Sequence, residues 1–178
     1  RSTVCDRCEG EGRVPKQPCR VCRGRGRKVE RVKISVDVPA GIADGQRIRI
    51  AGRGHSGERG GPAGDLYVQI RVREDQRFVR DGDDLITAVD VAAPLAALGT
   101  TVEVPTVDGA VELEVPAGTQ PHEMLIVRGK GMPALRRRRT GDLRVVVNVV
   151  IPRHLSRDQR ELIEQLAETM TDHNLRTD

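Results

Sequence analysis

ISVDVPAG, from Ile34 to Gly41, returns as VELEVPAG from Val111 to Gly118, a step of 77 residues. Without a gap, the same step carries RIRIAGRG (Arg47 to Gly54) onto MLIVRGKG (Met124 to Gly131), and GDLYVQIRV (Gly64 to Val72) onto GDLRVVVNV (Gly141 to Val149). Twelve of the 39 aligned positions are identical, among them Pro39 with Pro116, Gly41 with Gly118, Gly52 with Gly129 and Gly54 with Gly131. Residues that punctuate a chain where it turns recur at the same step, so the pattern predicts one β-rich unit duplicated in tandem.

Within each copy the apolar residues alternate. In the first, Val32, Ile34, Val36 and Val38 share one side of a predicted strand, followed by Ile48 and Ile50 on a second. Leu66, Val68, Ile70 and Val72 share one side of a third, with Tyr67 pointing the other way. Alternation of this kind marks half-buried strands. Gly52 to Gly64, with six glycines in thirteen positions, reads as a loop. The polar turn Asp81-Gly82-Asp83-Asp84 is expected to divide the copies. Beyond it, Leu85 to Val91 and Thr101 to Val104 read as strands, Ala92 to Leu98 as one helical turn or a bend, and Gly109 to Val149 repeats the three-strand pattern.

In the 77-residue frame, residues 85–104 correspond to 8–27, where cysteine-rich sequence stands instead. The first copy is therefore expected to lack its opening strands, with the cysteine segment inserted into it and the earlier strands lying before Arg1. Such a sheet exposes an edge and part of its apolar face. After Pro152 the period changes. Ser156 and Gln159 form a capping box, and Leu162, Ile163, Leu166 and Met170 make one apolar stripe, which predicts an amphipathic helix of about four turns.

The expected fold is mainly β: two tandem, small, β-sandwich-like domains, a cysteine-rich zinc insertion and a C-terminal α-helix. Its divisions are residues 1–33 (cysteine module), 34–80 (remainder of the first β domain), 81–153 (second β domain) and 154–178 (helix and terminal segment). The chain of 178 residues has one Phe, one Tyr and no Trp, so its cores must be built from Val, Ile, Leu and Ala. No run of 18 apolar residues and no opening hydrophobic segment occur, which predicts a soluble, cytoplasmic protein with no membrane partner.

Charge is unevenly placed: residues 1–33 hold eleven Lys and Arg against four Asp and Glu, whereas the whole chain is only +4. All four cysteines lie in that basic segment, in CDRCEGEG (Cys5 to Gly12) and CRVCRGRG (Cys19 to Gly26). Two thiolates separated by two residues can grip one metal ion from a tight turn, and the surrounding cations favour the thiolate form. Cys5, Cys8, Cys19 and Cys22 are therefore candidate zinc ligands, with a dithiol redox pair as the alternative. A basic segment can also mean nucleic acid, but no stacking aromatics accompany it. Arg136 to Arg139 reads as part of a solvated loop.

The two CxxCxGxG repeats, DGQRIRIAGRG, PAGDLYVQIRV, FVRDGDDL, ALGTTVEVPTVDG, VRGKGMP and GDLRVVV together resemble the client-binding, C-terminal part of the bacterial DnaJ-type co-chaperone family, over nearly the whole chain. That resemblance implies two peptide-binding β-domains, a zinc module inserted in the first, a C-terminal dimerisation segment giving a homodimer, and delivery of unfolded client polypeptides to the ATP-driven chaperone DnaK in protein folding and stress response. It implies a groove wall at Ile34 and Val68, with Ile48, Ile50 and Leu66 as supports. Family members carry a J-domain with a His-Pro-Asp motif, which does not occur in this sequence. They also carry four cysteine repeats that bind two zinc ions by pairing the first with the fourth and the second with the third. The two repeats present resemble the third and fourth, so each would hold half of a separate site.

Three functions are weighed. A binding module would hold extended apolar segments through backbone hydrogen bonds and side-chain pockets. A CxxC thiol oxidoreductase needs an exposed, reactive thiol that zinc would suppress. A zinc-ribbon nucleic-acid binder needs salt-dependent affinity through the basic segment. No catalytic constellation accompanies the cysteines, so the expected function is the binding module and not an enzyme.

Overall fold

β1 (Arg47–Ile50) and β2 (Leu66–Gln69) pair antiparallel as a two-stranded sheet, with Ile48 opposite Val68 and Ile50 opposite Leu66. The structure, a computed structural model, describes residues 4–8, 10, 12, 17, 19–22, 28–57, 61–135 and 138–175. Gly24 and Gly26 of the second cysteine repeat, and Arg136 and Arg137 of the arginine run, lie outside the described residues. The chain divides into two compact units. The first comprises Arg1–Val38 and Asp44–Arg71, the second Pro39–Ala43 and Val72–Asp178.

The second unit holds the remaining strands. β3 (Val79–Asp81), β4 (Asp84–Ala92), β8 (Leu143–Val150) and β7 (Met124–Val127) form a four-stranded sheet in that order. β4 and β8 run parallel, from Leu85 opposite Leu143 to Ala92 opposite Val150, and the other neighbours are antiparallel. β5 (Thr100–Thr106) and β6 (Gly109–Val115) form a separate hairpin, and α1 (Ala93–Leu98) joins β4 to β5. The turn at Gly82-Asp83 lies inside the β3–β4 hairpin.

Alternation along β8 sends Leu143, Val145 and Val147 inward, where none has any exposed surface. Leu85 and Val104 join Leu143 and Val145, packed by Val102, Val111 and Leu113 of the hairpin. Val91, Ala96 and Val115 join Val147. The core is thus a sheet-on-hairpin sandwich of aliphatic side chains, each worth about 1.5–3 kcal/mol on full burial. Arg144 ties β8 to β3 and β4 from the other face, donating to Asp81 at 3.0 Å and Asp84 at 2.5 Å.

The duplication holds in three dimensions. β1 and β2 lie 77 residues before β7 and the first half of β8, and their register is the same: Ile48 opposite Val68 answers Leu125 opposite Val145. The Gly52 N–H donates to Asp65 Oδ1 at 2.9 Å, and the Gly129 N–H donates to Asp142 Oδ1 at 2.8 Å. Gly54 N–H to the Gly64 carbonyl, 2.7 Å, is matched by Gly131 to Gly141, 2.8 Å.

One expected strand does not form. Residues 32–38 alternate in sequence, yet the backbone there is irregular, and Val32 and Val38 are exposed. Their counterpart is β6, which is a strand because β5 pairs with it residue for residue. Among the described residues of the first copy no strand stands where β5 does. A strand needs a ladder partner as well as a pattern. β2 also ends at Gln69, short of the expected Ile70 and Val72.

α2 (Arg157–Thr169) starts on the predicted box, with the Gln159 N–H donating to Ser156 Oγ and the Ser156 N–H to Gln159 Oε1. None of its residues is buried, and a single 3-10 turn, Asp172–Leu175, follows.

Candidate functional site

Four of the five candidate groove residues come together on one face of the β1–β2 pair. Ile48 and Ile50 alternate with Arg47 and Arg49, and Leu66 and Val68 with Tyr67 and Gln69. Directly opposite partners stand roughly 5 Å apart, so Ile48/Val68 and Ile50/Leu66 make one continuous aliphatic patch. All four are half-buried, while Arg47, Arg49, Tyr67 and Gln69 on the other face are exposed. Ile34 is half-buried too, but it lies in the irregular stretch and not on the ladder.

The counterparts of two of these residues are more deeply buried. Leu66 and Val68 correspond to Leu143 and Val145, which the β5–β6 hairpin and β4 cover completely in the second unit. No described residue of the first unit is fully buried. Leu66 and Val68 are thus less deeply buried than Leu143 and Val145, while Ile48 and Ile50 are half-buried like their counterparts Leu125 and Val127.

The loop after β1 is pinned at its base. Asp65 accepts the Gly52 N–H and the Arg49 Nε–H, the latter at 2.7 Å. The backbone donor first, and Arg49 with it, hold the Asp65 carboxyl below its usual range. In the second copy Ile126 replaces Arg49, and Asp142 keeps only the backbone part of the cradle.

The cysteines form two pairs. Cys5 to Cys8 is a turn closed by the Cys8 N–H on the Cys5 carbonyl, 3.3 Å. The Cys5 thiol is held below its ordinary pKa by the backbone N–H groups of Arg7 and Cys8 and by the Cys8 side chain. Cys19 is lowered in the same way by the N–H groups of Cys22 and Val21 and by the Cys22 side chain. Each turn thus presents two neighbouring sulfurs with backbone donors aimed at one of them, a geometry suited to thiolate. Among the described residues no group of three or more Cys, His, Asp or Glu converges. Two thiolates from one turn are donors of the kind that zinc takes.

Arg80 was not singled out in the sequence. It donates to the carbonyls of Gly41, Ile42 and Gly82 at 2.6, 2.9 and 2.8 Å. Only its place in FVRDGDDL marked it, and backbone acceptors leave no sequence signal. Among the described residues no helix is long and apolar enough to cross a membrane.

The DnaJ C terminal domain family model matches residues 5–152. The Chaperone protein DnaJ of Haloferax mediterranei is 48% identical over 168 residues, covering 94% of this chain and 44% of that protein. Its namesake in Halorubrum lacusprofundi is 49% identical over the same shares. That of Chelativorans sp. is 46% identical over 172 residues, covering 96% of this chain and 46% of that protein. The chain spans less than half the length of these relatives.

Proposed function

Because the chain belongs to the DnaJ C-terminal domain family, we propose that it is the client-binding part of a co-chaperone, holding unfolded polypeptides for delivery to a DnaK-type chaperone in the cytoplasm. The observation that carries this reading is the aliphatic face that Ile48, Ile50, Leu66 and Val68 make on one side of the β1–β2 pair. An extended apolar segment suits such a face, because alternate side chains can enter it while its backbone pairs with a bare strand edge. Ile34 would flank that segment. The relatives' name, Chaperone protein DnaJ, supports a chaperone and not an enzyme. Fluorescence anisotropy with a labelled, extended apolar peptide tests the reading. Saturable binding that Val68→Ser weakens is expected, and no binding at any concentration short of aggregation would sink it.

Cys5 with Cys8, and Cys19 with Cys22, would hold zinc as halves of two sites, each completed by another cysteine pair. Bound zinc would supply a structural crosslink and no chemistry. Backbone donors at Cys5 and Cys19 and the basic flanks prepare the thiolates for that role. In a polypeptide limited to these 178 residues, elemental analysis is expected to find zinc well below one ion per chain. One tightly held ion, with all four cysteines protected from alkylation, would contradict the half-site assignment.

The chain is further proposed to dimerise through α2. Leu162, Leu166 and Met170 are each about half exposed or more, and Ile163 lies beside them on the stripe. A helix of 13 residues with no buried side chain gains little stability alone, and a second copy of the same stripe offers a matching apolar surface.

A further inference from the structure

The VPAG turn occurs twice, and the two copies have different anchors. In the second, the Gly118 N–H donates to the carbonyls of Ala96 and Ala97 at the end of α1, at 2.9 and 3.2 Å. Among the described residues the first copy has no helix in that position. Its turn is gripped instead by Arg80 of β3, whose two terminal nitrogens reach the carbonyls of Gly41 and Ile42 while Nε donates to Gly82. Gly41 is buried at φ 82°, and a Cβ there would overlap the Pro133 carbonyl. The equivalent Cβ at Gly118 would meet nothing within 4 Å. The first turn is therefore fitted into a seat, and Arg80 closes it.

Residues 39–43 belong to the second unit, although the chain on both sides of them, up to Val38 and from Asp44, belongs to the first. We infer that Arg80 is a positioning residue for the client-binding face: by holding the Gly41–Ile42 turn, it fixes the common origin of the Ile34–Val38 arm and of β1. This inference rests on the client-binding reading and adds a residue outside the face that controls it. The guanidinium suits the task because its planar fork satisfies three carbonyl oxygens at once, which an ammonium cannot do in the same geometry. With the seat open, the two arms lose their shared anchor. Peptide affinity then falls by the fraction of chains still holding the competent arrangement.

The test compares Arg80→Ala, Arg80→Lys, Gly41→Ala and the Arg80→Ala/Gly41→Ala double variant, by peptide anisotropy and by amide hydrogen exchange, at a temperature where all are folded. Val104→Ala, a cavity in the second unit's core remote from the turn in sequence, controls for general loss of stability. Arg80→Ala and Gly41→Ala are each expected to weaken peptide binding about tenfold and to speed exchange across residues 40–50. The double variant should be no weaker than either single change, since both open one seat. Arg80→Lys should fall between wild type and Arg80→Ala, and Val104→Ala should bind like wild type. Unchanged affinity and exchange in Arg80→Ala would overturn the inference, and so would an equal loss of affinity in Val104→Ala. If the wild-type chain binds no peptide, the client reading fails separately. Exchange alone then decides: faster exchange upholds Arg80 as the anchor of the segment, and unchanged exchange overturns it.

Discussion

Val68 and Val145 are the same residue in two copies of one strand pair, yet they differ in burial. Val145 has no exposed surface, whereas Val68 is only half-buried. Val145→Ser is expected to cost about 2–4 kcal/mol of stability through cavity and polar burial. Val68→Ser and Ile34→Ser should leave the melting temperature nearly unchanged and weaken peptide binding, which calorimetry and anisotropy on the three variants would check. Glycines give a second paired contrast. Gly41→Ala combines left-handed backbone strain with a backbone overlap and should cost about 3 kcal/mol or more, whereas Gly118→Ala carries only the conformational strain, about 1 kcal/mol. Asp84 supplies a pH dependence. Its carboxylate accepts the Asp142 N–H and faces Arg144, and these hold its pKa below the usual range in the folded chain. A depressed folded pKa contributes stability that is fully present above the unfolded value, about 3.9, and is lost as pH falls through the folded one. Acid titration of the melting temperature below about pH 4 should thus be steeper for wild type than for Asp84→Asn.

At the scale of elements, α2 exposes its stripe, and its N-terminus is secured by a reciprocal cap. Removing residues from Ser156 onward should yield a monomer by light scattering while the β sheets keep their stability, and a truncated chain that stays dimeric would show that dimerisation lies elsewhere. The helix was legible because its signals are local: a cap, a 3.6-residue period and a Pro before it. β4, β6 and β8 were legible for a similar reason, as strand-like runs bounded by turns, and β7 through the 77-residue repeat. The stretch 32–38 carries the same local signal as β6 and is not a strand, because pairing depends on residues far along the chain. The aliphatic face of β1–β2 was legible only in part. Its residues could be named from alternation and resemblance, but whether they are core or surface depends on what covers them, which alternation does not encode. Arg80 was illegible because its partners are carbonyl oxygens, which every residue has.

For the molecule as a whole, duplication explains why the β1–β2 and β7–β8 pairs share one register and one set of turn hydrogen bonds. The second unit buries its aliphatic side chains beneath the β5–β6 hairpin and α1, while the corresponding strand pair of the first is half-buried. The client segment proposed above would lie against the aliphatic side of that pair. The most direct measurement is photo-crosslinking of an extended apolar peptide carrying a diazirine side chain, with the sites mapped by mass spectrometry. Crosslinks concentrated on Ile48, Ile50, Leu66 and Val68, and reduced by Val68→Ser, are the predicted result. Crosslinks confined to residues 72–178, or spread without preference over the chain, would contradict the assignment of the client face to the β1–β2 pair.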